Sequence, residues 1–205
     1  MESIEKLTEL FRKFPGIGPR QARRFVYFLL LQDPRLTKEL GTELANLRAR
    51  VKQCAACFRF FNHTQKSTAL CDACKNPNID TRTLVIVEKD IDLDTLRKAS
   101  NLNSRFFVLG GLVPVLDKEA EKRVRLKELE KKLTEYLKDG LAEIICAFSV
   151  SPHADHTVEM LKERISPTIA GKDVRISVLG RGLSTGTELE YSDAETIKQA
   201  LANRK

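Results

Sequence analysis

Two cysteine pairs, Cys54-Ala-Ala-Cys57 and Cys71-Asp-Ala-Cys74, constrain this chain more than anything else in it. Each pair encloses two residues, and thirteen residues separate the pairs. Thiolates at that spacing close a tetrahedron around Zn²⁺, with one ion per chain. The intervening loop, Phe58 to Leu70, then reads as a small finger held by metal rather than by a core. A disulfide or redox role is the alternative, and it suits a long intracellular chain poorly. The fifth cysteine, Cys146, lies in an apolar run and reads as a small buried hydrophobe.

Charge divides the chain at the same place. The net charge is +7. Residues 1–60 hold twelve Lys/Arg and six Asp/Glu, whereas residues 61–205 hold twenty-three and twenty-two. A basic excess confined to the N-terminal part favours an acidic polymer as its partner. No apolar run approaches the eighteen or so residues of a membrane span. The first ten residues form a charged helical pattern rather than a signal peptide. The expectation is a cytoplasmic protein of 205 residues with one large domain or two small ones.

Ile4, Leu7, Leu10, Phe11 and Phe14 recur at helical spacing and predict a first helix near residues 3–13. Pro15-Gly-Ile-Gly-Pro19 breaks it, and Pro19 suits the first position of a second helix running to about Leu31. Two helices joined through Gly16 and Gly18 form a helix-hairpin-helix pattern. The glycines permit close backbone approach, and the amides that open the second helix offer a phosphate site. Arg20, Arg23 and Arg24 share a face beside it. The alternative is an ordinary αα-corner with a solvated arginine face. The regional charge excess favours DNA backbone binding, which carries no sequence information.

Asp33-Pro34 supplies the cap and first residue of a third helix, with Leu36, Leu40, Leu44, Leu47 and Val51 as its apolar stripe. In the finger, His63 reads as a solvent or phosphate contact, since four thiolates already complete a metal site. Phe58, Phe60 and Phe61 read as packing for the small module, with base stacking as the lesser use.

After Asn76-Pro-Asn78 the pattern changes. Thr83–Val87 is a continuous apolar run expected of a strand buried on both faces. Further strands are predicted at about 105–109, 144–148 and 174–179, with helices near 92–100, 119–138, 155–165 and 193–202. The last helix opens on a capping box, Ser192-Asp-Ala-Glu195. This alternation argues a parallel α/β sheet. Glu88 ends the first strand, where open α/β sheets place ligands, and Asp90, Asp92 and Asp94 follow. His153, Asp155 and His156 follow the third strand. A surface or partner-contact role, a Mg²⁺ site and a histidine metal site are the three readings, in that order. Gly180-Arg-Gly-Leu-Ser-Thr-Gly186 lacks the lysine of a Walker loop and reads as a structural or interaction loop.

Five ordered motifs resemble the RecR family of bacterial recombination mediators. They are Phe14–Arg20, the four-cysteine finger, Thr83–Glu88, Val108–Leu112 and Arg181–Tyr191. The resemblance implies an α+β multidomain chain. Its parts are a helix-hairpin-helix domain at 1–53, a zinc finger at 54–78, a Toprim domain at 79–170 and a C-terminal strand, Gly-rich loop and helix at 171–205. It implies a non-catalytic, nucleoid-associated DNA-binding scaffold for gap repair, acting with RecO and RecF to help load RecA. It also implies a homo-oligomer, a tetrameric ring closed through the N- and C-terminal segments. Arg20 and Arg24 match the family's basic DNA-contacting positions and, with Gly16, Gly18 and Arg23 of the hairpin, make up the candidate DNA site; the four cysteines fall to zinc. Glu88, Asp90, His153 and Asp155 fall to a Toprim acidic site or a partner contact. Two departures stand out. The finger loop is longer than is usual in the family, and His153 replaces one acidic residue of its Asn-Pro-Thr loop, which weakens a divalent-metal role and the RecO contact. Mg²⁺ is therefore not expected. A Mg²⁺-dependent Toprim nuclease or primase using Glu88, Asp90 and Asp155 is the competing function, and a pure protein adaptor is the third.

Overall fold

The computed structural model describes residues 3–63, 69–100, 102–116, 119–183, 186 and 188–204. Residues 64–68 of the finger loop, and Ser184, Thr185 and Thr187 of the Gly-rich loop, lie outside the described residues. The chain divides into two compact units, Met1–Val51 and Lys52–Lys205.

The first unit is helical: α1 (Ser3–Phe11), α2 (Pro19–Leu31) and α3 (Pro34–Arg50). Phe11 meets Phe25 edge-on, with ring centroids 5.6 Å apart, and Ala22 and Val26 are buried. Gly16 makes the turn at φ +77°, a conformation that costs an L side chain energy. Gly18 is extended and caps α2, with Pro19 as its first residue. Asp33 caps α3 by accepting the Arg35 amide at 2.8 Å. The expected stripe on α3 is present, but the described residues of the helical unit leave it exposed. Leu36, Leu40, Leu44 and Leu47 are all exposed, and α3 buries no residue.

The second unit opens with β1 (Val51–Gln53) and β2 (Phe60–Asn62), a two-stranded ribbon, and the short helix α4 (Asp72–Lys75). Next come β3 (Asp80–Val87), α5 (Asp90–Ser100), β4 (Ser104–Val108), α6 (Leu126–Lys138), β5 (Glu143–Ala147), α7 (Pro152–Ile169), β6 (Arg175–Val178) and α8 (Ala194–Ala202). The sheet is parallel, ordered β4-β3-β5-β6. The period of two sends alternate residues of β3 to opposite faces. Leu84 and Ile86 join Phe107, Ile144 and Cys146 in a core covered by Leu129 and Leu133 of α6 and Leu161 and Ile165 of α7. Val85 and Val87 join Phe106 and Val108 under Leu93 of α5. Both faces are dry, which is why the strand shows no polar alternation.

Two expected helices differ in detail. The stretch near 119–138 divides into a 3₁₀ turn, Ala120–Arg123, and α6. The cap of α8 is Asp193 rather than Ser192. Its carboxylate accepts the Thr196 amide at 2.9 Å, and the Thr196 hydroxyl donates back to it at 2.7 Å. Aspartate one position on thus does the work assigned to Ser192.

Phe107 is fully buried at the centre of the larger core. Phe107→Ala should cost about 3–5 kcal/mol, read as a lower urea midpoint. Phe60→Ala, at a ring 55% exposed, should change stability by less than about 0.5 kcal/mol.

Candidate functional site

The four cysteines converge. Their sulfurs all lie within 4.8 Å of one another, and Cys54, Cys57 and Cys71 are buried. Cys57 Sγ and Cys71 Sγ are 3.7 Å apart. A disulfide needs about 2.05 Å, whereas a tetrahedron with bonds of about 2.3 Å sets its sulfurs about 3.8 Å apart. The donor set therefore fits a thiolate-bound metal ion and not a pair of disulfides. Among the described residues no other three His, Cys, Asp or Glu gather in this way.

Local backbone structure makes the cluster. Phe58 donates its amide to Cys54 O at 3.0 Å, and the Cys54 amide returns to Arg59 O at 2.9 Å. These bonds curl the first pair into a knuckle. Cys71 is the residue before α4, so the opening turn of that helix carries Cys74 back toward it. The Cys71 amide donates to Cys54 Sγ at 3.3 Å, a bond that favours the thiolate. Protons are contested among the four. Hydrogen bonding from Cys57 holds Cys54 far below the ordinary thiol range, and the same neighbour relation holds Cys57 far above it. A divalent cation removes that conflict by letting all four ionise.

The knuckle is sewn to the sheet. Val108 at the end of β4 donates to Cys57 O at 2.8 Å, and the Tyr136 hydroxyl of α6 donates to Ala56 O at 3.4 Å. Phe58 adopts φ +61°, a left-handed conformation that costs about 1–3 kcal/mol. Its ring offsets this by packing on Phe107, with centroids 5.2 Å apart. The three finger phenylalanines therefore have different roles. Phe58 serves the main core, Phe61 lies against the cysteines, and Phe60 is exposed.

The carboxylates behind β3 are engaged. Asp90 accepts the Phe60 amide at 2.6 Å, Asp94 pairs with Arg59 at 2.9 Å, and Asp92 accepts the Lys89 amide at 2.9 Å. Glu88 is mostly buried and pairs with Lys89 at 2.6 Å. At the start of α7, Asp155 pairs with Arg181, His153 is exposed and His156 is half-buried. Arg181 O in turn accepts the Asn203 side chain of the C-terminal segment at 2.7 Å. These groups lock loops and helices together. Sequence reading did not single out Arg59 or Tyr136, because their partners lie 35 and 80 residues away.

In the helical unit, Arg20, Arg23 and Arg24 are exposed at the opening of α2. No acidic residue occupies that first turn, and among the described residues no carboxylate pairs with the three arginines. The first amides of α2 have no intrahelical acceptor. A Cβ placed on Gly18 would meet nothing within 4 Å, so the backbone there is open to approach.

Residues 4–48 match the family model described as RecR, helix-hairpin-helix, and residues 182–205 match that described as RecR, C-terminal. A protein of a Chelativorans species named Recombination protein RecR is 32% identical over 201 residues, covering 98% of this chain and 94% of that one. A Legionella pneumophila protein of the same name is 31% identical over 205 residues, covering 100% and 96%. This chain belongs to the RecR family. A third RecR, from Bacteroides thetaiotaomicron, is 30% identical over 201 residues, covering 98% and 92%. The RecR helix-hairpin-helix match contains Gly16, Gly18 and all three arginines, and the RecR C-terminal match contains Asn203. Among the described residues, no helix is long and apolar enough to cross a membrane.

Cys146 is buried, and burial pushes its thiol up to about 11 from 9.0. Its folded pKa lies above its unfolded one. The stability it contributes is complete below pH 9.0 and lost as pH rises toward 11. Thiol titration with a disulfide reagent near neutral pH should therefore show two classes. Chelator should release four reactive thiols, and the fifth should react only in denaturant. Cys71→Ser should lower bound metal from about one ion per chain to a small fraction of that, read by elemental analysis.

Proposed function

We propose that this RecR-family chain is a zinc-stabilised, non-catalytic DNA-binding mediator of recombinational repair. It binds DNA without regard to sequence and acts with RecO and RecF to help load RecA at gaps. Its place is the cytoplasm, at the nucleoid. The observation that carries this reading is the opening of α2. Three exposed arginines lie at a helix start whose first amides lack an intrahelical acceptor and whose first turn holds no acid, in a family named for recombination. Gly16 holds the turn, Gly18 leaves room for a phosphate, and Arg20, Arg23 and Arg24 supply the charge.

Zn²⁺ is the ion we assign to Cys54, Cys57, Cys71 and Cys74. Four sulfur donors and no open position describe a structural centre rather than a catalytic one. When bound, the ion supplies cross-linking, not chemistry. Absence of turnover is supported by the acidic residues themselves. Asp90 is occupied by the Phe60 amide, Asp155 by Arg181 and Glu88 by Lys89. We assign Glu88, Asp90, His153 and Asp155 to loop anchoring and to contact with a protein partner, with no resident Mg²⁺.

The uncovered face of α3 supports self-association. Leu36, Leu40, Leu44 and Leu47 form a continuous apolar stripe, and an apolar groove of about 550 Å³ lined by Ile4, Leu7, Val26 and Leu29 lies in the same helical unit. Exposed apolar area of that kind marks an interface. We assign it to subunit contacts of a ring, the tetramer that the family resemblance implies.

Two measurements test these statements. Fluorescence anisotropy at several salt concentrations should give a steep salt dependence for wild type on unrelated sequences. Arg20→Ala/Arg24→Ala should bind more weakly and flatten the log–log salt slope by about 1.5–2. An unchanged slope would remove the hairpin from the DNA interface. Light scattering should give wild type a mass of several chains, and Leu44→Glu/Leu47→Glu a lower one at the same concentration. Equal masses would place the subunit contact elsewhere.

A further inference from the structure

Arg59 has a position that its ion pair with Asp94 does not account for. Its side chain is 18% exposed. One guanidinium nitrogen, Nη2, meets Asp94 at 2.9 Å, while Nε is buried without a hydrogen-bond partner. An orphaned buried donor is costly. Its surroundings suggest what it is for. A small space of about 10 Å³ has Arg59, Arg97, Cys57, Cys74 and Ser104 among its lining residues. That is room for about one water molecule and no more. Two cationic residues and two of the four cysteines therefore border one small space. Arg59 also belongs to the first knuckle, since its carbonyl accepts the Cys54 amide.

The electrostatics give this a reason. Four thiolates around one divalent zinc leave a net charge of about −2 in a buried place. Asp90 and Asp94 stand at the same end of α5 and make the deficit of positive charge worse. We propose that Arg59, with Arg97, is the counter-cation of the metal–thiolate centre. The Arg59 Nε–H reaches a cysteine sulfur on that wall through one water. Arg97, one helical turn beyond Asp94, adds a second positive charge. Asp94 engages only Nη2, which leaves the Nε–H for the sulfurs, and both arginines, acting through the cysteines, are positioning residues for the metal site.

Two consequences follow from the neighbouring positive charge. It offsets the net negative charge of the loaded site and opposes protonation of the thiolates, so the ion is retained more tightly, and it makes the thiolates weaker nucleophiles. Peroxide attack shows the second. A thiolate sulfur attacks one peroxide oxygen, an S–O bond forms as the O–O bond breaks, hydroxide leaves, and the sulfur is oxidised by two electrons to sulfenic acid. A sulfenic acid is a poor ligand, so the metal escapes. A guanidinium beside the sulfur slows that first attack.

This inference rests on the zinc reading of the four cysteines. The test uses the full zinc-loaded chain. Affinity is read by chelator competition, and peroxide-driven release by a metal-sensitive dye. Arg59→Gln should bind zinc about 10–100-fold more weakly and release it faster, as loss of a supporting contact does in other metal sites. Arg97→Gln should move both readings in the same direction by less. Arg59→Lys, which keeps the charge, should restore most of the protection. Asp94→Asn keeps both cations and should release zinc no faster than wild type. If Asp94→Asn matches Arg59→Gln, finger docking rather than charge is responsible and the proposal fails. It fails also if both glutamine variants, folded by circular dichroism, hold and release zinc as wild type does. A wild-type chain without zinc would instead overturn the metal reading itself, an outcome told apart by elemental analysis.

Discussion

Four sulfurs from Cys54, Cys57, Cys71 and Cys74 share a space in which they cannot all ionise without a cation. Each negative charge raises the cost of the next, and burial raises it again. A bound divalent ion reverses the balance and turns mutual repulsion into a cross-link between segments seventeen residues apart. Little else could hold the finger closed. Its ribbon has two strands of three residues each, well short of what folds alone.

The cluster also governs how the finger meets the sheet. The Cys57 carbonyl accepts the amide of Val108, the last residue of β4, so metal geometry and sheet geometry share one peptide. Phe58 is driven into a left-handed conformation and regains that cost by burying its ring on Phe107. Asp90 and Asp94, at the start of α5, grip Phe60 and Arg59 from the other side. A module that reads as an independent finger is in this way continuous with the α/β unit that follows it. Carboxylates at a strand end, for which a metal site is only the second reading, are spent on main-chain amides and an arginine.

The helical unit follows a different logic. Its internal packing is modest, with Ala22, Val26 and Thr8 buried, while α3 leaves a row of leucines uncovered. The amphipathic pattern of α3 was visible along the chain, because a period of 3.6 needs only neighbours in sequence. What covers the stripe is not decided by that period. The same pattern serves a private core and a subunit interface equally well. At the hairpin, Gly16 takes the positive φ and Gly18 does not, a difference between two glycines that letters alone cannot convey.

The parallel sheet, its four strands, the cysteine tetrad and the arginine face were all legible in the residues, since each depends on spacing or on local composition. Thr83–Val87 announces a doubly buried strand by having no polar alternation, and two C-x-x-C pairs announce their geometry by count. Contacts that span the chain were not legible. Arg59 finding Asp94, Tyr136 finding Ala56 and Asp155 finding Arg181 depend on how helices are laid across a sheet. Side-chain type fixes what a group can bond to, but only the tertiary arrangement determines which partner comes within hydrogen-bonding distance, and therefore which charges remain available for function.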